Sequence, residues 1–178
     1  MAVQSGLVPD IKPYATGEPK WEHKQSRYPH LAHMLPTRAI ALGASGSGKS
    51  VLYQSCILDI WRGCWKQIHV FSPSAKLDPS WIPVKQYVKD ELGQNPEEAF
   101  HETFDPKVVE KILATQKRVI EAQKADDRKR EGNQLWAVAI FFDDFARGCK
   151  FPGCSKTVHR GSSFFRVNLH CDAAFQAS

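Results

Sequence analysis

An octapeptide in the first third of the chain constrains its structure more than any other feature. The sequence from Gly43 to Ser50 reads GASGSGKS and fits the pattern GxxxxGK[ST] at every fixed position. Glycines let the backbone take positive φ angles and approach a ligand closely, and a helix start offers free amide hydrogens and a positive dipole end to an anion. The pattern therefore predicts a loop that binds the phosphates of a nucleoside triphosphate.

The sequence on both sides of the loop favours this interpretation. The run from Thr37 to Leu42 predicts a short buried strand, and Val51 to Trp61 has the apolar spacing of a helix, with Val51, Leu52, Ile57, Leu58 and Ile60 or Trp61 as its apolar positions. A strand, a glycine-rich loop and a helix thus follow one another. A Gly/Ser-rich turn that binds nothing is the alternative, and the flanking pattern disfavours it.

The loop supplies the predicted binding residues. Lys49 is expected to reach the β and γ phosphates and to take part in catalysis, and the Ser50 hydroxyl to hold Mg²⁺, a hard cation that prefers oxygen ligands. ATP and Mg²⁺ are the expected cofactors. The residues expected to contact the nucleotide are Gly43, Ala44, Ser45, Gly46, Ser47, Gly48, Lys49, Ser50 and Val51.

A second element has the form of a Walker B strand. The unbroken apolar run from Trp136 to Phe142 ends in Asp143 and Asp144. A strand that is apolar on both faces belongs in the centre of a sheet, and its carboxyl end emerges at the same edge as the glycine-rich loop. We expect Asp143 to bind the magnesium and Asp144 to orient or deprotonate the attacking water. A turn merely capped by two carboxylates is the alternative.

Length and composition predict one α/β domain. With 178 residues, 42% of them hydrophobic, the chain can form a core, and we expect a P-loop NTPase core with a central, mostly parallel sheet flanked by helices, incomplete at the C-terminus. We divide the chain into an extended, proline-containing N-terminal arm at 1–35, the core at 36–146, and a divergent C-terminal segment at 147–178 with one candidate strand.

Further patterns place the other elements of the core. Lys66–Phe71 reads as a second strand, and Pro83 opens a helix that Gly93 is placed to end. Asp105 and Pro106 predict the start of a long helix reaching Lys129, since Asp105 can cap free amides and Pro106 suits the first helical position.

The net charge and the cysteines limit the kinds of partner and the cellular compartment that we expect. The net charge of +5 is compatible with an anionic partner, and no apolar run is long enough to span a bilayer. We therefore expect a soluble intracellular protein without membrane contacts. The five cysteines are odd in number and form no CxxC pair, so free thiols are expected. A zinc site is the alternative for one C-terminal cluster, although its spacing matches no standard ligand pattern; its members are Cys149, Cys154, His159, His170 and Cys171.

Three segments carry a resemblance to a known family. They are Ala41–Leu52, Ile68–Ser74 and Phe141–Ala146, of which the Ser-Pro-Ser after the second strand and the Asp-Asp-Phe-Ala after the apolar strand are the more selective. Together they resemble the DNA-packaging ATPases of poxviruses and other large nucleocytoplasmic DNA viruses, in the HerA–FtsK class of P-loop NTPases.

The resemblance implies an ATP-driven motor that moves double-stranded DNA into a capsid. It also implies a homo-oligomeric ring, capsid or portal components as partners, and the virion or the host-cell cytoplasm as location. By motif position, Lys49 and Ser50 would bind phosphate and magnesium, Asp143 the magnesium, and Asp144 the water.

The sequence departs from that family after Asp144, so its C-terminus is truncated or diverged. Members continue with an Arg-Gly-Arg-His segment and a strand ending in a glutamine that senses the γ-phosphate; here no such role can be assigned to Arg160, Arg166 or Gln176. An arginine supplied in trans contributes about 10³ to 10⁵ in rate in P-loop enzymes. An ATP-binding module with little or no turnover is therefore the first alternative function.

A small-molecule kinase is the second alternative function. The sequence shows no arginine-rich lid between the loop and the last apolar strand, and the paired carboxylates suit water activation better than transfer to a small acceptor. Transfer of the γ-phosphate to such an acceptor, rather than to water, would distinguish the kinase from the ATPase.

Overall fold

The computed structural model describes residues 21–44, 46–125 and 134–143 with their side chains, and the backbone of 162–167. The residues of the predicted zinc cluster, Asp144, and residues 1–20 of the predicted arm lie outside these ranges. The elements, in chain order, are β1 (Arg38–Leu42), α1 (Lys49–Ser55), a π-helical turn (Cys56–Ile60), β2 (Gln67–Phe71), a 3₁₀ turn (Pro79–Trp81), α2 (Ile82–Asp90), α3 (Pro96–Ala99), β3 (Phe100–His101), α4 (Pro106–Ala125), β4 (Val138–Phe142) and β5 (Ser162–Val167).

The fold is mixed α/β, with a sheet in the order β1-β5-β4-β2-β3. Strands β4, β2 and β3 pair in parallel, and helices flank this part of the sheet. Strand β5 pairs antiparallel with both β1 and β4. The strands β1 to β4 therefore run in one direction, and their carboxyl ends meet at one edge of the sheet.

Strand β4 occupies the middle of the sheet because it is apolar on both faces. All five of its residues are buried. On one face, Phe141 packs with residues of α1 and α2 in the larger core cluster. On the other face, Phe142 and Ile140 pack with Val108, Ile112 and other residues of α4. Because side chains pack on both faces, β4 cannot easily shift along its own axis. The position of its last residue, and of the residue that follows it, is therefore fixed.

Strand β1 is less buried than its sequence predicts. Ile40 and Leu42 are 59% and 76% exposed, whereas Ala39 and Ala41 pack against the larger core. The prediction of a buried strand was wrong because β1 lies at the end of the strand order and, among the described residues, only its alanine face is covered.

The helix after the loop buries the later apolar positions that its sequence predicts but not the first two. Val51 and Leu52 are 60% and 48% exposed, whereas Tyr53, Ile57 and Trp61 are buried. The spacing of these three buried residues, four apart, follows one side of a helix. The apolar residues at the start of α1 therefore face away from the core.

Two other helices have the predicted features at one end each: α4 at its start and α2 at its end. The predicted start of α2 at Pro83 differs by one residue from the observed start at Ile82, and the predicted end of α4 at Lys129 lies outside the described residues. The Asp105 carboxylate accepts a hydrogen bond from the Lys107 backbone N–H at 2.9 Å, and α4 begins at Pro106. After α2, Gly93 adopts φ 63°. The chain can turn there because glycine tolerates a left-handed backbone.

The segment before β1 is held against the core by side-chain hydrogen bonds. The Gln25 amide donates to the Leu35 carbonyl at 2.9 Å and accepts from the Leu35 N–H at 2.7 Å. The Ser26 hydroxyl donates to the carbonyl of Ile60, and the Trp61 indole donates to the His33 carbonyl. Residues 21–36 therefore form a closed loop on the π-helical turn. Within the part of the chain that the structure describes, no helix is long and apolar enough to cross a bilayer.

Candidate nucleotide-binding site

The glycine-rich loop lies at the carboxyl edge of the sheet, between β1 and α1. Its conformation is fixed from inside by Lys49, whose Nζ donates to the carbonyls of Gly43 at 3.1 Å and Ala44 at 2.9 Å. Lys49 is buried, with 8% of its surface exposed. The ammonium group thus lies inside the curve of the loop, where it could contact a bound phosphate.

The glycines of the loop meet different physical demands. Gly46 and Gly48 adopt φ angles of 77° and 85°, a left-handed backbone that other residues rarely take. Gly43 is required for space, because a Cβ atom added there would lie 2.4 Å from the Ser47 hydroxyl oxygen. The loop can adopt this shape only with small residues at these positions.

Two predicted magnesium ligands are in direct contact at the carboxyl edge of the sheet. The Ser50 hydroxyl donates to Asp143 Oδ2 at 2.8 Å. Asp143 is 2% exposed, and its backbone N–H donates to the Phe71 carbonyl at 2.8 Å, which aligns the end of β4 with the end of β2. The paired hydroxyl and carboxylate are oxygen donors of the kind that Mg²⁺ uses together with waters and phosphates.

The donor set fits magnesium better than a transition metal. Among the described residues, no group of three or more His, Cys, Asp or Glu side chains is arranged to hold a metal ion. Sites for zinc are usually built by three or four such protein ligands, whereas Mg²⁺ is commonly held by one or two side chains plus substrate phosphates. A hydroxyl and a carboxylate in contact therefore suit a magnesium ion whose other ligands are waters or phosphates.

Seven of the nine predicted loop residues lie in or at the start of this site. They are Gly43, Ala44, Gly46, Ser47, Gly48, Lys49 and Ser50. Val51 follows in the first turn of α1 and is exposed, while Ser45 and Asp144 lie outside the described residues. The structure thus brings together the predicted phosphate and magnesium ligands, and the water-activating role of Asp144 stays a prediction.

The sequence does not predict the aromatic stack that lies behind Asp143. The Phe71 ring lies between the His101 ring, at a centroid distance of 4.3 Å, and the Phe142 ring, at 5.0 Å. His101 in turn contacts His69, with 3.3 Å between His69 Nδ1 and His101 Nε2. Strand β3 has only two residues, too few for a periodic pattern, so the sequence carries no signal for this arrangement.

One histidine of this pair is buried and the other is partly buried. Burial, and to a lesser extent the neighbouring His101, lower the pKa of His69 to about 4. Burial also lowers the pKa of His101. Both rings are therefore neutral at physiological pH, and one donates the hydrogen bond that joins them.

The described cysteines lack the character of catalytic nucleophiles. Cys56 and Cys64 are free and buried, as expected of unpaired thiols. Burial raises the pKa of Cys56 to about 11 and also raises that of Cys64. Because the thiolate is the reactive form, these residues have a structural role in the core.

Comparison of the chain with protein-family models, with curated proteins and with solved structures found no significant match in any of the three.

Proposed function

We propose that this protein binds a nucleoside triphosphate, ATP in the first instance, together with Mg²⁺ at the loop from Gly43 to Ser50. The observation that carries the proposal is the 2.8 Å hydrogen bond between Ser50 and Asp143. A glycine-rich turn without a ligand has no need of a buried carboxylate brought from a distant strand to the first turn of its helix. Burying such a carboxylate costs free energy unless it has partners, and a cation adds a strong one.

Different groups of the chain would contact the phosphates and the magnesium. Lys49 would exchange the carbonyls of Gly43 and Ala44 for phosphate oxygens, and the amide hydrogens at the start of α1 would donate to the same anion. Ser50 and Asp143 would hold the magnesium, which would supply positive charge to the phosphates. The left-handed turns at Gly46 and Gly48 would allow the backbone of the loop to approach a bound phosphate.

Hydrolysis is the second step of the proposal and depends on Asp144. That residue directly follows Asp143, so a carboxylate at this position is a candidate to orient the attacking water. The resulting activity is that of a P-loop ATPase. Transport of double-stranded DNA, as in the viral packaging ATPases, is the finer proposal, and the three sequence segments named above support it.

The direct experiment is a titration of the full chain with ATP by calorimetry, with Mg²⁺ and with EDTA, followed by a phosphate-release assay with and without duplex DNA. We expect Mg²⁺-dependent binding and phosphate release that duplex DNA stimulates. Absence of ATP binding would refute the proposed site. Binding with phosphate release that DNA leaves unchanged would refute the packaging function alone.

An ATP-binding module without turnover is the second candidate. It is favoured by the sequence after Asp144, which departs from the family pattern where the arginine and glutamine segments are expected. This candidate predicts tight binding of Mg·ATP and no phosphate release above background, whether or not DNA is present. The phosphate-release assay therefore separates the two candidates.

A further inference from the structure

Asp143 owes its position to the end of β2 as well as to its own strand. Its backbone N–H donates to the Phe71 carbonyl at 2.8 Å. Its side chain must meet Ser50, so a shift of β2 along the sheet would move the carboxylate relative to the hydroxyl. The end of β2 is thus part of the support for the magnesium ligands, although it contributes no ligand itself.

His101 holds the end of β2 from the opposite side in two ways. Its backbone carbonyl accepts from the Ser72 N–H at 2.9 Å, immediately after Phe71. Its ring lies nearly parallel to that of Phe71, with 20° between the ring planes. Phe71 in turn stacks on Phe142, the residue before Asp143, with 23° between the planes. A continuous stack therefore joins His101 to the backbone that carries Asp143.

His69 sets the plane of the His101 ring. The two rings lie at 25° to one another, and Nδ1 of His69 is 3.3 Å from Nε2 of His101. A neutral imidazole has one N–H, so one of these two facing nitrogens donates to the other. The orientation of the His101 ring is thereby fixed at its outer edge.

Packing alone does not call for this polar pair. The surrounding cluster is apolar, with Phe71, Ile140 and Phe142 at its centre and Phe104 against two of the rings. Burying the His69 imidazole and part of the His101 imidazole costs free energy that apolar side chains would avoid, whereas a hydrogen-bonded polar pair specifies one arrangement. The pair therefore contributes orientation in a place where shape alone would leave the stack free to slide.

We propose that His101, oriented by His69, is a positioning residue for the magnesium ligand Asp143 and acts through the ring stack with Phe71 and Phe142. The proposal rests on the proposed nucleotide and magnesium site. It assigns no contact between His101 and the nucleotide or the metal. Its consequence is that loss of the ring weakens the contribution of Mg²⁺ to binding and leaves the contribution of the loop and Lys49 in place.

The test measures the dissociation constant for ATP of the full chain in EDTA and in Mg²⁺ at pH 7.5. The constant in EDTA divided by the constant in Mg²⁺ gives the factor by which magnesium tightens binding. In His101→Ala we expect this ratio to fall about fivefold or more, the scale of a typical coupling between sites. The dissociation constant in EDTA should stay within about twofold of the wild-type value, since the loop is untouched. His101→Phe keeps a flat ring but cannot form the hydrogen bond to His69, so we expect the ratio to recover only in part.

Two further variants control for poor folding and for a general effect of replacing a histidine. His101→Leu fills the space without a flat ring, and it should lose the magnesium contribution as His101→Ala does even if the alanine variant folds poorly. His30→Ala, at an exposed histidine of the loop before β1, is the matched control and should change neither constant.

The outcomes separate this inference from the function on which it rests. Wild-type protein that fails to bind ATP in either buffer refutes the proposed site. Wild-type binding that depends on Mg²⁺, with an unchanged ratio in folded His101→Ala or His101→Leu, overturns the positioning role. A ratio in His101→Phe no higher than that in His101→Leu overturns the role of the ring stack, and a full wild-type ratio in His101→Phe overturns the role of His69.

Discussion

The Ser50 hydroxyl donates to the Asp143 carboxylate at 2.8 Å, and the two residues are 93 positions apart in the chain. Two independent sequence patterns end at these residues, one a glycine-rich loop and the other an apolar strand. Their contact joins the first turn of α1 to the end of β4. It is the relationship on which the proposed binding of Mg²⁺ and nucleotide depends.

Replacement of Lys49 is expected to abolish tight nucleotide binding. The Lys49 ammonium is the positive charge that the loop holds in place, and a hydrogen bond to a charged group contributes about 1.5–3 kcal/mol. We expect Lys49→Ala to raise the dissociation constant for ATP about 10- to 100-fold. Lys107→Ala, at an exposed position of α4, is the matched control and should bind as the wild type does. Equal affinity of the two variants would contradict the assigned role of Lys49.

Replacement of Gly43 is expected to distort the loop through a steric clash. A Cβ atom there would lie 2.4 Å from the Ser47 hydroxyl oxygen and 3.2 Å from the Ser47 Cβ, so the Ser47 hydroxyl must rotate away and Ser47 itself must move slightly. We expect Gly43→Ala to weaken ATP binding by about tenfold, because a small displacement of several donors reduces each hydrogen bond.

Gly93→Ala separates this clash from a general effect of replacing a glycine. Gly93 lies after α2, far along the chain from the loop, and no atom lies within 4 Å of a Cβ placed there. Its positive φ predicts a loss of about 1 kcal/mol in the free energy of unfolding with unchanged ATP affinity. Wild-type affinity in Gly43→Ala would show that the loop adapts without cost.

Replacement of Asp143 is expected to remove the effect of magnesium. Asp143→Asn preserves the size of the side chain and an oxygen that can accept from Ser50, but it removes the negative charge. Calorimetry in Mg²⁺ and in EDTA should then give ATP affinities within about twofold of one another. A variant that still binds ATP more tightly with Mg²⁺, to the same extent as wild type, would exclude Asp143 as a ligand.

Protonation of His69 is expected to destabilise the fold in acid. The folded-state pKa is about 4, below the ordinary value of 6.5, so the unfolded chain takes up the proton first. The stabilisation is fully present above pH 6.5 and is lost as the pH falls towards 4. At about 1.4 kcal/mol for each pKa unit, the loss reaches about 2 kcal/mol at pH 5.

Urea denaturation at pH 7.5 and at pH 5 measures this loss. The free energy of unfolding should fall less between these pH values in His69→Phe than in wild type, because the variant has no group to protonate at this position. His30→Phe, at an exposed histidine, should behave as wild type. An identical pH dependence in wild type and His69→Phe would contradict the assigned burial effect.

The sequence predicts the site better than it predicts its surroundings. The positions of Lys49, Ser50 and Asp143 follow from local patterns, because a glycine-rich turn and a strand apolar on both faces are both set by neighbouring residues. The central place of β4 follows from the same apolar run. Each of these features depends on a few adjacent residues.

The features that the sequence does not predict depend on distant contacts. Ile40 belongs to an apolar strand, yet it is exposed because its strand lies at the end of the sheet. Tyr53 lies on the buried face of α1, whereas the more apolar Val51 does not, because the sheet lies on only one side of that helix. The pairing of His69 with His101 arises only when β2 and β3 meet. Such outcomes are set by which elements become neighbours.

The most direct test of the central claim is a calorimetric titration of the wild-type chain with ATP in Mg²⁺ and in EDTA, with Lys49→Ala and Asp143→Asn measured beside it. The Ser50–Asp143 contact predicts tight binding that weakens when Mg²⁺ is removed, weak binding by Lys49→Ala in both buffers, and binding by Asp143→Asn that does not respond to Mg²⁺. Wild-type protein that binds no ATP, or binds it equally well with and without Mg²⁺, would contradict the claim.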